Sequence, residues 1–404
     1  MDKINKKDLS EADICDLYIT PSIKLAGYDP LIQIRREVYL SPGRIDVFGL
    51  SARRNKKTRK RADYVLYKKK NIPIAVIEAK NNNFTVSEGM PQAIKYASLL
   101  KVPSAFSSNG DGFSYLDMST NSKEIEKNLK NNEFIDPETL WKNYLDFYNI
   151  KKGEEHLNLE DYYVEDNKEP RYYQVNAINS LVQQISNGKK RLLIVMATGT
   201  GKTYVAFQTI WRLWKSKKVK RALFLADRNI LIDQSIVNDF KPFKKVMTKI
   251  QNRNADPSYE IYMALYQSLT GDEEKSKIFK NFSKDFFDLI IIDECHRGSA
   301  DEESQWREIL EYFNSSVQIG MTATPKETKY ISNIDYFGEP IYTYSLKQGI
   351  EDGFLSPYKV IRVNLDKDMD GWIPPPGMKD DLGELIENRK YNQLDMNKTL
   401  ILNH

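Results

Sequence analysis

The sequence predicts an α/β protein in two parts. An N-terminal α/β domain covers residues 1–150, a linker 151–170, a doubly wound parallel-sheet lobe 171–345, and a connecting stretch 346–404. Three observations predict this. The run Leu192-Leu193-Ile194-Val195-Met196 has no polar alternation, as a strand buried on both faces would, and a glycine-bearing turn and a helical stretch from Tyr204 to Trp214 follow it. Further short apolar runs alternate with helical patterns downstream, which is the signature of strands crossing over through helices. Upstream, two β-rich runs flank the polar turn Lys68-Lys69-Lys70-Asn71 and read as a hairpin.

Composition is that of an ordinary globular chain. Its 404 residues suggest two or three domains at roughly 150 residues each. Net charge is only +4, so any affinity for nucleic acid must come from local basic patches. The two cysteines, Cys15 and Cys295, offer neither a disulfide framework nor zinc spacing, which fits a reducing cytosol and a cytoplasmic location. The opening MDKINKKDLSEAD has no apolar core, and no run approaches the ~20 apolar residues of a membrane span.

The order strand, glycine turn, helix aims several backbone N–H groups and a helix N-terminus at one point. That point is an anion site. Thr198, Gly199, Thr200, Gly201, Lys202 and Thr203 are therefore read as a nucleotide phosphate loop, with Lys202 on the phosphates and Thr203 on Mg²⁺. Met196 stands where the usual pattern G-x-x-x-x-G-K-[ST] has its first glycine.

Other candidates in the lobe follow from strand ends. Arg221 to Arg228 reads as a strand closing in a polar turn at Asp227-Arg228, and Ile261-Tyr262-Met263-Ala264 as another strand. Asp288-Leu289-Ile290-Ile291-Ile292-Asp293-Glu294-Cys295-His296 delivers two carboxylates at the end of a buried strand, where open α/β sheets bind ligands. Asp293 is expected to hold Mg²⁺ through water, Glu294 to polarise the attacking water, and His296 to lie beside them. Val317 to Met321 runs into Thr322-Ala323-Thr324-Pro325, whose hydroxyls Thr322 and Thr324 can couple hydrolysis to a nucleic-acid face. Gln174, on the amphipathic stretch after Pro170, has an amide able to donate and accept at once, as the N6/N7 edge of adenine requires.

In the N-terminal part Ser10 is a plausible cap for a helix through Ile14, Leu17 and Tyr18, which Thr20-Pro21 is expected to end. Strands are expected at Ile32 to Leu40 and Gly43 to Phe48. The hairpin pairs Ala62–Tyr67 with Ile72–Lys80. A turn centred on Lys70 and Asn71 sets Asp63 opposite Glu78, and period-2 geometry puts Lys80 on the same face as Glu78. Two carboxylates and a lysine then converge. Oxygen ligands of that kind suit Mg²⁺, and the lysine can stabilise phosphorane charge or orient water. Asp46 is the rival for the aspartate role, and Glu11 could add a further carboxylate. The basic run Arg53 to Arg61 could hold DNA phosphates or be a solvated loop. Residues 121–167 read as a connecting helical segment around Trp141, Tyr144, Leu145 and Tyr148.

The Asp63…Glu78-Ala79-Lys80 constellation resembles the PD-(D/E)xK nuclease core. Gln92 and Tyr96, one helical turn apart, match the Q-x-x-x-Y element of the nucleases found with RecB-type and restriction motors. Thr198–Thr203, Gln174, Asp227-Arg228, Asp293-Glu294-Cys295-His296 and Thr322-Ala323-Thr324-Pro325 resemble the phosphate-loop, adenine-selecting, Ia, II and III motifs of RecA-like superfamily 2 motors. Tyr336 to Leu346 and Asp352 to Tyr358 look like the restriction subunit of type I restriction–modification systems. The resemblance implies a PD-(D/E)xK nuclease-like domain ahead of one RecA-like motor lobe, ATP and Mg²⁺ as cofactors, and ATP-driven translocation and cleavage of double-stranded DNA. It also implies separate modification and specificity subunits as partners and no membrane. A second lobe with its arginine finger is not found after Pro325, so the chain is read as a fragment or a truncated product with weak ATPase. The alternatives are another superfamily 2 helicase–nuclease, in repair or antiphage defence, and a chain that binds ATP or DNA without turnover.

Overall fold

A computed structural model of the chain describes residues 5–49, 51–119, 126–165, 169–226, 229–250, 256–270, 277–293, 295, 300–323, 327–328, 331–358, 373–379, 385 and 388. Residues 1–356 form one compact unit and 357–404 another, so the stretch expected to be a connection divides at Ser356.

The first sheet has six strands: β1 (Ile34–Ser41), β4 (Lys60–Lys69), β5 (Ile72–Ala79), β6 (Ser104–Ser108), β7 (Phe113–Asp117) and β8 (Glu126–Leu129), side by side in that order. All neighbours are antiparallel except β5 and β6. A separate two-stranded ribbon, β2 (Ile45–Phe48) and β3 (Ser51–Arg54), lies in the chain between β1 and β4. Both faces of the sheet are covered. Tyr64, Leu66, Ile77 and Phe106 pack under Ile14, Ile19, Trp141 and Tyr144 on one side. Val65 and Val76 meet Ala93, Tyr96 and Ala97 of the Met90–Leu100 helix on the other.

Two expectations fail in this part. The first helical stretch does not end at Thr20-Pro21: a π turn at Cys15–Ile19 carries it into a further helix, Thr20–Leu25. The wide turn, with Thr20 N–H donating to Cys15 O, lets the proline ring clear the preceding carbonyls at the first turn of the new segment. Residues 126–129 are an edge strand and not part of a helical linker, and their side chains are largely exposed, leaving no apolar alternation to read.

The second sheet has seven parallel strands in the order β11 (Met247–Lys249), β12 (Ile261–Leu265), β10 (Ala222–Ala226), β13 (Leu289–Asp293), β14 (Val317–Thr322), β9 (Arg191–Met196) and β17 (Tyr342–Tyr344). A small pair, β15 (Glu327–Thr328) and β16 (Ile331–Ser332), stands apart. Alternate residues of each central strand go to opposite cores. Leu192, Ile194 and Met196 pack with the Tyr172–Ser186 and Lys202–Lys215 helices, while Leu193 and Val195 pack with Trp306, Ile309 and Phe337. That two-sided burial is why these strands read as unbroken apolar runs. Phe337 fills the space beneath Gly320, where an added Cβ would lie 2.8 Å from its ring.

Candidate functional site

Two sites emerge, one on a sheet face and one at strand ends. On the first sheet, β4 and β5 pair Tyr64 with Ile77 and Val65 with Val76, which continues to Asp63 opposite Glu78. Ala79 N–H donates to Asp63 Oδ2 at 2.9 Å, and Asp63 N–H donates to Glu78 Oε1 at 3.4 Å. Glu78 is fully buried and its Oε2 has no hydrogen-bond partner. Burial, followed by the neighbouring Asp63 charge, pushes its carboxyl up to about 9, against a smaller pull from Lys80. Lys80 follows at the end of β5, its N–H donating to Ser108 O at 2.9 Å. Tyr96 is buried above Glu78, receives a hydrogen bond from Gln92, and has its phenol raised by desolvation and then by the Glu78 charge. Gly89 makes this approach possible, since a Cβ there would lie 2.8 Å from Ser107 Oγ and 3.2 Å from Glu78 Cβ. Glu11 also enters the site: burial and the Asp63 charge raise its carboxyl, while Lys80 and Arg61 lower it.

The donor set fits a hard divalent cation. Among the described residues no group of three His, Cys, Asp or Glu side chains could cage a metal. Asp63 and Glu78 supply two carboxylates, and Mg²⁺ is commonly held by one or two carboxylates with substrate phosphates and water completing its shell. The partnerless Glu78 oxygen is the atom such an ion would satisfy. Asp46 takes no part here. It is tied within the ribbon by Arg44 Nε at 2.8 Å and Asn55 Nδ2 at 2.9 Å. Nor is the basic run free for DNA along its whole length, because Arg54 and Lys60 make internal contacts while Arg53, Lys56 and Lys57 remain exposed.

At the second site the loop after β9 wraps the N-terminus of the Lys202–Lys215 helix. Gly199 and Gly201 adopt φ of +81° and +85°, values that favour glycine. Thr200 Oγ1 donates to Ala197 O at 2.5 Å, and Lys202 Nζ reaches Met196 O at 3.4 Å. Thr198 and Gly199 are exposed at the loop tip, and Thr203 is half-buried on the first helical turn. Gln174 accepts from Arg171 N–H at 2.9 Å and donates to Thr200 O at 2.9 Å, so its amide is fixed against the loop and retains one donor and one acceptor position. A cavity of about 380 Å³ opens beside it, lined by Arg171, Gln174, Gly199, Gly201, Tyr204 and Asp239.

Asp293 ends β13 and is buried, and Thr322, also buried, ends β14 beside it. Because β14 separates β13 from β9, Asp293 lies two strand spacings, about 10 Å, from β9. Asp227, Arg228, Glu294, His296, Thr324 and Pro325 lie outside the described residues. Sequence reasoning gave no role to Asp352, a buried carboxylate that both parts of the chain reach.

Comparison with known proteins decides the family. Residues 49–130 match the family described as type I restriction enzyme R protein N terminus, and residues 167–327 match type III restriction enzyme, res subunit. The whole chain is 53% identical to the type I restriction enzyme EcoAI endonuclease subunit of Escherichia coli, over 50% of that protein's length. The chain belongs to the type I restriction endonuclease subunits. The EcoKI endonuclease subunit of E. coli K12 is 32% identical over 46% of this chain and 17% of its own. A solved fragment of an HsdR subunit of a type I restriction enzyme from Vibrio vulnificus YJ016 superposes with a TM-score of 0.73 at 42% identity, covering 87% of this chain and 62% of the fragment. The chain thus spans about half the length of its curated relative EcoAI. No helix among the described residues is long and apolar enough to cross a membrane.

Proposed function

We propose that this chain carries the DNA-cleaving site and an ATP-binding motor lobe of a type I restriction endonuclease subunit, within residues 1–150 and 171–345. The observation that carries the reading is Glu78: a buried carboxylate with a partnerless oxygen, facing Asp63 and adjoining Lys80. Asp63 and Glu78 would hold Mg²⁺, with Glu78 giving up its proton as the cation arrives. Held there, the ion would supply Lewis-acid polarisation of the scissile phosphate and an activated water. Lys80 donates to a phosphate oxygen as charge builds there. Tyr96 stays protonated and donates, held by Gln92, and Glu11 adds negative charge at the rim.

In the motor lobe, Lys202 and the loop N–H groups bind the phosphates, Thr203 and Asp293 hold the nucleotide's Mg²⁺, and Gln174 selects adenine. Glu294 positions water, with His296 beside it, and Thr322 and Thr324 couple the site to DNA. The whole enzyme moves along double-stranded DNA with ATP, in company with modification and specificity subunits. One chain has one nuclease site, so one copy cuts one strand.

Nicking of supercoiled plasmid in Mg²⁺ by the 404-residue chain, beside Asp63→Ala, tests the cleavage reading. Equal nicking by both proteins refutes the assignment. Co-purification with a modification or specificity subunit tests the partner reading, and its absence at near-stoichiometric expression argues for a stand-alone helicase–nuclease.

A further inference from the structure

The buried carboxylate of Asp352 belongs to neither site, yet it touches elements of both. It closes the Leu346–Asp352 helix and is 1% exposed. Three donors converge on it: Lys60 Nζ at 2.6 Å, Tyr344 OH at 2.8 Å, and Tyr172 OH. Lys60 is the first residue of β4, the strand that presents Asp63 a few residues further on. Tyr172 opens the helix that carries Gln174. Tyr344 holds the phosphate loop by its main chain, since its carbonyl accepts from Ala197 N–H at 3.0 Å, and its ring stacks on Tyr173 at 4.0 Å.

The residues that follow Asp352 extend the same contact. Gly353, at φ +79°, sits so close to Gly43 that a Cβ would lie 2.0 Å from its carbonyl oxygen, and Gly353 O accepts from Arg54 Nη1 at 3.0 Å. Phe354 lies against Tyr173 and under the Arg171 guanidinium. Leu355 approaches the loop itself, 3.5 Å from where a Gly199 Cβ would be. Four successive residues, Asp352 to Leu355, therefore contact the nuclease ribbon, the adenine-side helix and the phosphate loop.

We propose that Asp352 is a positioning residue that ties the phosphate loop to the nuclease strand, so that nucleotide in the loop tightens β4 and steadies Asp63. The proposal rests on reading the loop as a nucleotide site. A buried carboxylate is tolerated only while its donors stay in place, so displacement of Tyr172 or Tyr344 at the loop is felt by Lys60. The link is one hydrogen-bonded cluster between two rigid elements, and both can bias it.

Amide hydrogen exchange across Lys60–Lys69 reads the link. It is measured on the 404-residue chain with and without a non-hydrolysable ATP analogue, at constant Mg²⁺ so that the nuclease site is equally occupied. The analogue is expected to slow exchange in the unaltered chain. In Lys60→Met the analogue should bind with unchanged affinity and the slowing should vanish. Should Lys60→Met fail to fold with the Asp352 carboxylate uncompensated, Lys60→Met/Asp352→Asn removes both charges, keeps an acceptor for the tyrosines, and should likewise lose the slowing at saturating analogue. Slowing that persists in either variant overturns the proposal, as does analogue binding without slowing in the unaltered chain. Lys202→Ala should lose binding and slowing together. If the unaltered chain binds no analogue, the nucleotide reading fails and takes the proposal with it, an outcome distinct from binding without response.

Discussion

The two sites are built in opposite ways. The proposed nucleotide site hangs on the ends of parallel strands, so each of its parts is a short local motif: Thr198 to Thr203 form one loop and the start of the helix after it, and Asp293 and Thr322 end neighbouring strands. The proposed nuclease site lies on the face of an antiparallel pair, and its parts meet because a turn fixes the register of β4 against β5. The proposed nucleotide chemistry is therefore written as motifs and the proposed cleavage chemistry as geometry. The electrostatics differ too. Lys202 sits at a helix N-terminus whose N–H groups already favour an anion, whereas Glu78 is buried against another carboxylate and disfavours its own charge.

This contrast is sharpest where cleavage and nucleotide binding are measured on the same variants. Lys80→Ala should lower Mg²⁺-dependent nicking by roughly 10²–10³-fold, as loss of a charge-stabilising donor does, and leave ATP-analogue affinity unchanged. Lost analogue binding with retained nicking would sink the assignment of Lys80. Lys202→Ala should do the reverse: analogue affinity falls on the order of 10–100-fold, the worth of a charge-assisted hydrogen bond, while nicking in the absence of nucleotide persists. A fluorescent ATP-analogue titration checks it, and unchanged affinity would remove the phosphate-loop reading. Gly201→Ala is milder but reaches further. Its Cβ would lie 2.5 Å from Gln174 Nε2 at a φ of +85°, so it should cost about 1–3 kcal/mol of stability and weaken discrimination of ATP from GTP. Thermal melting and paired ATP and GTP titrations show whether Gln174 reads the base.

Sequence showed β9, β10, β12, β13 and β14 of the second sheet, because two-sided burial leaves unbroken apolar runs that polar turns cannot mimic, and it did not show the short edge strands β11 and β17. The register of β4 against β5 was also legible, since a polar turn at Lys70-Asn71 admits one pairing that buries Val65 and Val76 together. What stayed hidden has no local signal. The edge strand Glu126–Leu129 carries exposed side chains, and the helix past Pro21 depends on a π turn that no propensity encodes. Asp352 is a polar residue in a polar stretch, and its donors Lys60 and Tyr172 lie too far away in the chain to form a pattern with it.

The smallest effect expected is also the one that most directly probes the difference between the sites. With its carboxyl raised to about 9, Glu78 holds a proton in the folded chain that it releases near 4.5 when unfolded. The folded state thus binds more protons between those values, and stability declines as pH rises from about 5 towards 9. Glu78→Gln removes this group and should melt higher than the unaltered chain by roughly 2–4 °C at pH 8, with the gap closing at about pH 5. Mg²⁺ should supply the missing partner for the Glu78 carboxylate, so adding it at about pH 8 should stabilise the unaltered chain more than Glu78→Gln. Lys202→Ala, which leaves Asp63 and Glu78 in place, should show the same pH slope and the same Mg²⁺ response as the unaltered chain. A slope that survives in Glu78→Gln would place the titrating group elsewhere and leave the buried carboxylate without its proposed role as a cation ligand.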